Sequence, residues 1–404
     1  MGFEVRQVQS TVSTMAEKNP NDAAIPWTPL FLSVGALQSG MIAAARVTFS
    51  IAALQVGAST FDAGFIVALM AIVPALTAIH FGRLMDRIGT HPVLMVSLSL
   101  SALVLLLSAF FQNTPSLLLA APVVGACAIL THVANTRIMG AVQDIVLRTR
   151  NLGYIAAINS CAQLLAPAGA ALVLEKHGIG IALLMLGFMP GLALLLMTMY
   201  SHKARVFSAQ NPASGKTKPW DLLKIPKLRR VLLVNAVSST SVTSFPFIAA
   251  VLGHDQNISP SQIGLLIASA GIGTVAIRLI LPKIMKHVGT KTIMCASLAV
   301  TAAIYSLIPF FENIYILLML AGIMGLFVGA GMPIALADIY SESPEGRVSE
   351  TLGLTMSFSM IPQILVPMAV GGLALFIGLH FTILIFSAWI SSAALYYWKT
   401  DAGK

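Results

Sequence analysis

Long, nearly continuous runs of apolar residues constrain this 404-residue chain more than any other feature of its sequence. A helix that crosses the ~30 Å hydrocarbon core of a bilayer needs about 20 mostly apolar residues. Only helices and closed barrels satisfy their backbone hydrogen bonds in lipid, and runs of this length exclude barrel strands. The sequence therefore predicts an all-α membrane protein with twelve transmembrane helices. The predicted spans are 28–56, 62–81, 93–112, 115–140, 152–174, 178–200, 229–252, 262–282, 293–311, 314–338, 352–376 and 379–398.

The composition also favours lipid as the partner of most of the surface. Hydrophobic residues make up 57% of the chain and charged residues 10%, whereas a soluble domain has about 25% charged residues. The net charge of +9 does not indicate nucleic-acid binding, because the basic residues lie in short loops between apolar runs. Cys127, Cys161 and Cys295 lack the spacing of a zinc site or a disulfide framework, so we interpret them as buried thiols and expect no metal or cofactor.

The distribution of positive charge predicts the orientation in the membrane. If the N-terminus is cytoplasmic, almost all of the 24 Lys and Arg residues fall in cytoplasmic segments, and the six opposite loops hold only Lys176. This asymmetry follows the positive-inside rule. We therefore expect a multi-pass protein of the plasma (inner) membrane with both termini cytoplasmic. The predicted cytoplasmic segments include an N-tail at 1–27, a central loop at 201–228 and a C-tail at 399–404.

The two halves of the chain repeat each other at an offset of 200 residues. The sequence Phe-Phe-Gln-Asn at 110–113 is echoed by Phe-Phe-Glu-Asn at 310–313. Further matched pairs are Gly64 with Gly264, Gly89 with Gly289, Gly125 with Gly325, Gly153 with Gly353, Gln163 with Gln363, and Pro167 with Pro367. The repeat predicts two pseudo-symmetric six-helix bundles, 28–200 and 229–398, related by an axis along the membrane normal. Duplicated channels and membrane enzymes exist, so the repeat favours transport without establishing it.

The segment between spans 2 and 3 carries a recognisable motif. Residues 82–90 read G-R-L-M-D-R-I-G-T, and a degenerate copy occupies 282–291. This segment resembles the G-x-L-a-D-r-x-G-r/k signature of the major facilitator superfamily, and the twelve spans extend the resemblance over essentially the whole chain. The resemblance implies the major facilitator fold and a secondary transporter that works by alternating access.

In that family the motif forms a latch that closes the cytoplasmic side. The two glycines permit close helix approach and a tight turn, and Asp86 is placed to pair with basic groups. The predicted latch residues are Gly82, Arg83, Asp86, Arg87, Gly89 and Asp144. The alternative is that these charges are solvated loop residues. Lys286 replaces the aspartate in the second copy, which argues against a second latch of the same polarity.

Span 5 resembles the antiporter motif of the same family, G-x8-G-x3-G-P-x2-G-G. The motif positions read Gly153, Ala162, Ala166, Pro167, Ala170 and Ala171. Alanine thus replaces most of the glycines, although the small residues still permit close helix packing and the proline permits a bend. The pattern favours efflux, and ordinary small-residue packing is the alternative.

Charged residues within a span usually face a cavity. Arg46, in span 1, is a candidate for binding an anionic substrate through charge-assisted hydrogen bonds; pairing with Asp62 or snorkelling is the alternative. Arg278 and Arg137 lie near span ends, so we interpret them as snorkelling residues. The predicted substrate cavity contains Gln38, Arg46, His132, Asn159, Gln163, Asn235, Ser239 and Gln363.

Coupling to a proton has no clear carboxylate candidate, because no span centre carries Asp or Glu. His132 titrates in the right range, and a hydrogen-bonded packing histidine is the other reading of it.

The leading functional prediction is a monomeric secondary transporter of a small solute, with efflux favoured. The runner-up is an uptake permease for a small anionic metabolite. A membrane-embedded enzyme is disfavoured because no H-E-x-x-H, nucleophile elbow or other catalytic motif occurs. A sensor is disfavoured because no polar segment is long enough for an added domain. We expect a small molecule, the bilayer and a coupling proton as partners, and no nucleic acid.

Overall fold

The computed structural model describes residues 28–140, 145–199, 219–344 and 347–399. This part of the chain is almost entirely helical and contains no strand. The helices are α1 (Thr28–Gln55), α2 (Thr60–Ile88), α3 (Thr90–Phe110), α4 (Thr114–Gly140), α5 and α6 (together Ile145–Met199), α7 (Pro226–Asp255), α8 (Pro260–Ile284), α9 (Thr290–Leu307), α10 (Ile314–Glu342), α11 (Val348–Ile377) and α12 (Leu379–Lys399). A short 3-10 helix, Pro219–Lys224, precedes α7, and another, Ile308–Phe310, follows α9.

A single glycine separates α5 from α6. Gly178 has φ 79° and ψ 179°, so the continuous element consists of α5 (145–177) and α6 (179–199). Gly378 has φ 81° and ψ 157° between α11 and α12. Glycine lacks a Cβ and therefore adopts positive φ without steric cost. The described residues thus form twelve helical segments, which confirms the predicted all-α fold of about twelve spans.

The exterior of the bundle is apolar, as a lipid-facing surface must be. Ten helical stretches in the described residues are long and apolar enough to cross a membrane, and one of them, Ala157–Met199, contains α6 and much of α5. Leu279 and Phe376 are 76% and 85% exposed. Cys161 is also exposed, so the interpretation of all three cysteines as buried thiols is wrong for this residue.

The repeat recurs in the packing of the helices. A Cβ added at Gly125 of α4 would collide with the carbonyl oxygen of Met70 in α2, and one added at Gly325 of α10 would collide with that of Ala270 in α8. Both residues of the first contact therefore have their counterparts 200 positions later. The capping boxes obey the same offset, with Ser59 and Asp62 at the start of α2 and Ser259 and Gln262 at the start of α8. The two halves are therefore pseudo-symmetric, as predicted.

The halves meet mainly along three pairs of helices: α2 with α11, α5 with α8, and α1 with α7. Gly64 of α2 lies against the backbone of Pro367 in α11, and Gly264 of α8 lies against Ala168 of α5. The 200-residue offset relates these two contacts as well. Gly264 is the counterpart of Gly64, and Ala168 lies one position from Pro167, the counterpart of Pro367. Their side of the molecule contains the first turns of α2 and α8 and the last turns of α5 and α11.

Candidate functional site

A cavity of about 270 Å³ lies between the two halves. Its walls come from α1, α2, α4 and α5 of the first half and from α7 and α11 of the second. Five of the predicted cavity residues line it: Gln38, Arg46, His132, Gln163 and Gln363. Residues from helices far apart in the sequence therefore converge on one central space.

The other three predicted cavity residues lie elsewhere, and this corrects the sequence interpretation. Asn235 of α7 donates a hydrogen bond from Nδ2 to Oγ of Ser359 in α11, at 3.0 Å. Ser239 donates to the carbonyl oxygen of Ala236, at 3.1 Å, within its own helix. Asn159 is buried beside Gly35 of α1. Asn235 and Asn159 are therefore buried between helices, and none of the three lines the cavity.

A second cavity of about 150 Å³ adjoins the first. The two share the wall residues Ala43, Arg46, Gln163 and Thr243. The second cavity extends between α5, α7, α8 and α10, and Pro167 of the α5 motif lies in its wall. Arg46 therefore stands where the two spaces meet.

Arg46 has no protein counter-ion within the described residues. Its side chain makes no ion pair or hydrogen bond there. Asp62, which the sequence offered as a partner, instead closes the cap of α2: its carboxylate accepts from the N–H of Ser59 at 3.1 Å and from Oγ of Ser59 at 2.7 Å. Nine residues, or about 13 Å of helix, separate Arg46 from the end of α1 at Gln55.

Arg278 lines the second cavity, so its interpretation as a snorkelling residue is wrong. Its Nη1 donates to Oγ of Ser160 in α5 at 2.9 Å, across the boundary between the halves. Its Nε is buried and has no hydrogen-bond partner in the described part of the protein. The position of Arg278 near a helix end suggested snorkelling, because the sequence does not tell whether that end faces lipid or a cavity.

The cavity walls are electropositive. Arg46 and Arg278 carry fixed charges, and His132 adds a titratable ring. Among the described residues that line the two cavities there is no aspartate or glutamate. A low-dielectric space with uncompensated positive charge attracts anions.

The small residues of α5 contact helices of both halves. The Cβ of Ala166 lies 3.1 Å from the Cβ position of Gly40 in α1, and the Cβ of Ala171 lies 2.8 Å from that of Gly264 in α8. Ala170 is fully buried. Gly153 belongs to α5 by its backbone, and its surroundings lie outside the described residues. These contacts are close helix packing and carry no information on the direction of transport.

The predicted latch segment lies on a helix and not in a loop. The backbone of Gly82, Arg83, Asp86 and Arg87 continues α2 to Ile88, and the side chains of these residues lie outside the described part of the structure. Gly89 alone makes the turn to α3, with φ 90° and its N–H donating to the carbonyl oxygen of Met85. Asp144 also lies outside the described residues. The latch remains a prediction.

A carboxylate bridges the halves at the side of the molecule where α5 ends and α8 begins. Oε2 of Glu175 accepts from the backbone N–H of Ser261 in the first turn of α8, at 2.7 Å. The unpaired N–H groups of a helix N-terminus stabilise a negative charge. Together with the close contacts of Gly64 and Gly264, this bond holds the halves together at that side.

Glu175→Gln is therefore expected to favour opening at this side, because the amide oxygen still accepts a hydrogen bond but lacks the negative charge that the helix N-terminus stabilises. The measurement is the rate at which a membrane-impermeant maleimide, added from that side, labels a Thr243→Cys variant that also carries Cys161→Ser. Labelling should be faster in Glu175→Gln. Glu312→Gln, an exposed carboxylate in a loop of the same side, is the matched control and should leave the rate unchanged. Equal rates in both variants would show that the bond does not restrain the halves.

Comparison with known proteins agrees with this geometry. The model of the Major Facilitator Superfamily matches residues 31–242 and again residues 231–404, so nearly the whole described chain is covered by two overlapping matches. YceJ of Bacillus subtilis (strain 168), described as an uncharacterized MFS-type transporter, is 28% identical over 130 residues. That match covers 31% of this chain and only 33% of YceJ.

Solved structures share the fold at low sequence identity. The nucleoside transporter NupG superimposes with a TM-score of 0.76 at 12% identity, over 94% of this chain and 100% of NupG. A POT family transporter in complex with a thioalcohol-conjugated peptide gives a TM-score of 0.73 at 9% identity, over 91% of this chain and 94% of that chain. The repeated helical halves, the cavity between them and the double match to the family model lead to one conclusion: the chain belongs to the Major Facilitator Superfamily.

Proposed function

We propose that this secondary transporter exports a small anion by alternating access. It acts as a monomer in the plasma (inner) membrane, with both termini cytoplasmic. The observation that supports an anionic substrate is Arg46, a cation within a membrane span that lines the cavity and has no counter-ion among the described residues.

The energetic argument starts from the cost of this charge. Placing an arginine at the centre of a span costs about 2.5–3.5 kcal/mol of insertion free energy. A charged residue at such a position usually has a function. An anion that enters the cavity removes part of this cost through charge-assisted hydrogen bonds to the guanidinium. The two adjoining cavities, of about 270 and 150 Å³, together reach the size of pockets that hold small ligands.

Export follows from the charge of the substrate. A membrane potential that is negative inside drives an anion outward with ~2.3 kcal/mol per charge per 100 mV, which is about a fiftyfold concentration ratio. Export therefore needs no coupling ion, and the lining residues within the described part of the chain provide no carboxylate to carry a proton.

The alternative is uptake of a small anionic metabolite together with a proton. His132 in the cavity wall favours this alternative, because its ring can gain and lose a proton, whereas Arg46 in the same wall carries a fixed charge. Concentrative uptake of an anion against the potential needs a coupled driving force, which a co-transported proton supplies.

Transport by purified protein in liposomes decides between the two directions. A thermal-shift panel of small carboxylates and phosphate esters, with nucleosides as the neutral class, first identifies a ligand. Loaded liposomes should then release an anionic ligand faster under an inside-negative potassium diffusion potential, and a pH gradient without potential should have no effect. Release that depends on the pH gradient would support proton-coupled uptake, and stabilisation by nucleosides alone would refute the anion proposal.

The latch proposal has its own test. Asp86→Asn should impair transport while expression stays largely intact, because the latch biases the conformational equilibrium and does not hold the fold. A coupling free energy of about 1–3 kcal/mol changes populations by about 5-fold to 150-fold. Transport rates over a range of ligand concentrations measure the effect. A wild-type rate in Asp86→Asn would refute the latch.

A further inference from the structure

We infer that the transported anion carries two negative charges, which Arg46 and Arg278 bind together. This inference rests on the proposed function and specifies its substrate class. The two arginines belong to α1 and α8, in opposite halves of the protein, and both line the second cavity.

Arg278 has donors to spare for a ligand. A guanidinium has five N–H donors, and the structure gives one hydrogen bond of this side chain, from Nη1 to Ser160. Its Nε is buried without a hydrogen-bond partner in the described residues. A buried donor without a partner is costly, and an anionic oxygen in the cavity would satisfy it.

The balance of charge favours a dianion over a monoanion. Two guanidinium groups in one low-dielectric cavity repel each other, and none of the described residues that line that cavity is an aspartate or glutamate. A monoanion would leave one positive charge uncompensated, whereas a dianion compensates both. The hydrogen bond from Arg278 to Ser160 fixes the second cation on the cavity wall, where it faces the space that Arg46 also faces.

Two ligand chemistries share this charge: a dicarboxylate, with the charges on separate groups, and a phosphomonoester, with both charges on one group. Binding of butanedioate, methyl phosphate and butanoate to the purified full-length chain in nanodiscs compares them. The wild-type chain should bind at least one of the two dianions about tenfold or more tightly than butanoate, since a hydrogen bond to a charged group contributes that much. Whichever dianion binds more tightly identifies the chemistry.

The decisive readout is the ratio of the butanoate and dianion dissociation constants. In Arg278→Gln this ratio should fall to within about threefold of unity, whereas Arg46→Gln should weaken the binding of all three probes. If Arg278 were only structural, both affinities and the melting temperature would fall together and the ratio would stay at its wild-type value. Ser160→Ala, which removes the hydroxyl that holds Arg278, should lower the ratio part of the way.

Failure of the inference and failure of the proposed function give different results. Equal affinity of the wild-type chain for butanoate and both dianions, or an unchanged ratio in Arg278→Gln, would refute the dianion inference alone, provided that Arg46→Gln still weakens binding. Absence of binding of any anionic probe to the wild-type chain, or undiminished binding to Arg46→Gln, would refute the proposed function itself.

Discussion

Arg46→Ala is expected to abolish anion binding and transport while the protein remains folded. Removing one partner of a buried, hydrogen-bonded charge pair costs about 2–5 kcal/mol, which is a loss of affinity of at least about thirtyfold. The fold should persist, because the side chain of Arg46 makes no ion pair or hydrogen bond to the described residues. Binding isotherms measured beside a thermal melting curve separate the two effects.

Arg46→Lys should bind the same ligand more weakly than the wild-type chain and more tightly than Arg46→Ala. Lysine keeps the positive charge but replaces a planar, bidentate donor with a point charge. Lys399→Gln is the matched control, because it removes one positive charge from an exposed position at the end of α12, outside both cavities. A lower melting temperature of Arg46→Ala at wild-type affinity would show that this arginine is structural.

The fold was predictable because its two main determinants are local and repeated. Apolar runs of membrane-spanning length are visible in the sequence, and the 200-residue offset relates one half to the other. Contacts such as Gly125 with Met70 and Gly325 with Ala270 show why the offset persists, since each glycine admits a backbone from the neighbouring helix. The C-terminal end of α2 was less predictable, because its polar last turns look like a loop when only hydropathy is considered.

The cavity was predictable only in part, because the orientation of a side chain around a helix depends on tertiary packing. Gln38, Gln163 and Gln363 do line the cavity, whereas Asn235, an equally polar residue, bonds to a neighbouring helix. Hydropathy does not distinguish a polar residue that faces water from one that joins two helices.

Arg278 is the opposite case, because the sequence placed it outside the cavity and the structure places it in the cavity wall. Its distance from the end of α8 is that of a snorkelling residue, and only the approach of α5 reveals that it faces a cavity. A cation in one half therefore acquires its role from a helix more than a hundred residues away in sequence, and no local pattern reports that relation.

Gly125→Ala is expected to lower the free energy of unfolding by about 1–3 kcal/mol, the range for added volume in a well-packed interior. The new methyl group would collide with the carbonyl oxygen of Met70, a backbone atom of α2 that moves only if the helix moves. Gly325→Ala should have a similar effect through Ala270, because the repeat reproduces the contact. Thermal unfolding of the purified variants in detergent measures both changes.

Gly191→Ala provides the matched control for this prediction. Gly191 lies in α6, and a Cβ at its position would meet no atom within 4 Å. Alanine has the higher helix propensity, by about 1 kcal/mol, so this variant should be as stable as the wild-type chain or more stable. Because positions 125 and 325 lie in different halves, the double variant should lose about the sum of the two single losses. If both Gly125→Ala and Gly325→Ala were as stable as the wild-type chain, these backbone contacts would not exist, neither between α2 and α4 nor between α8 and α10. Close helix packing would then not explain the paired glycines.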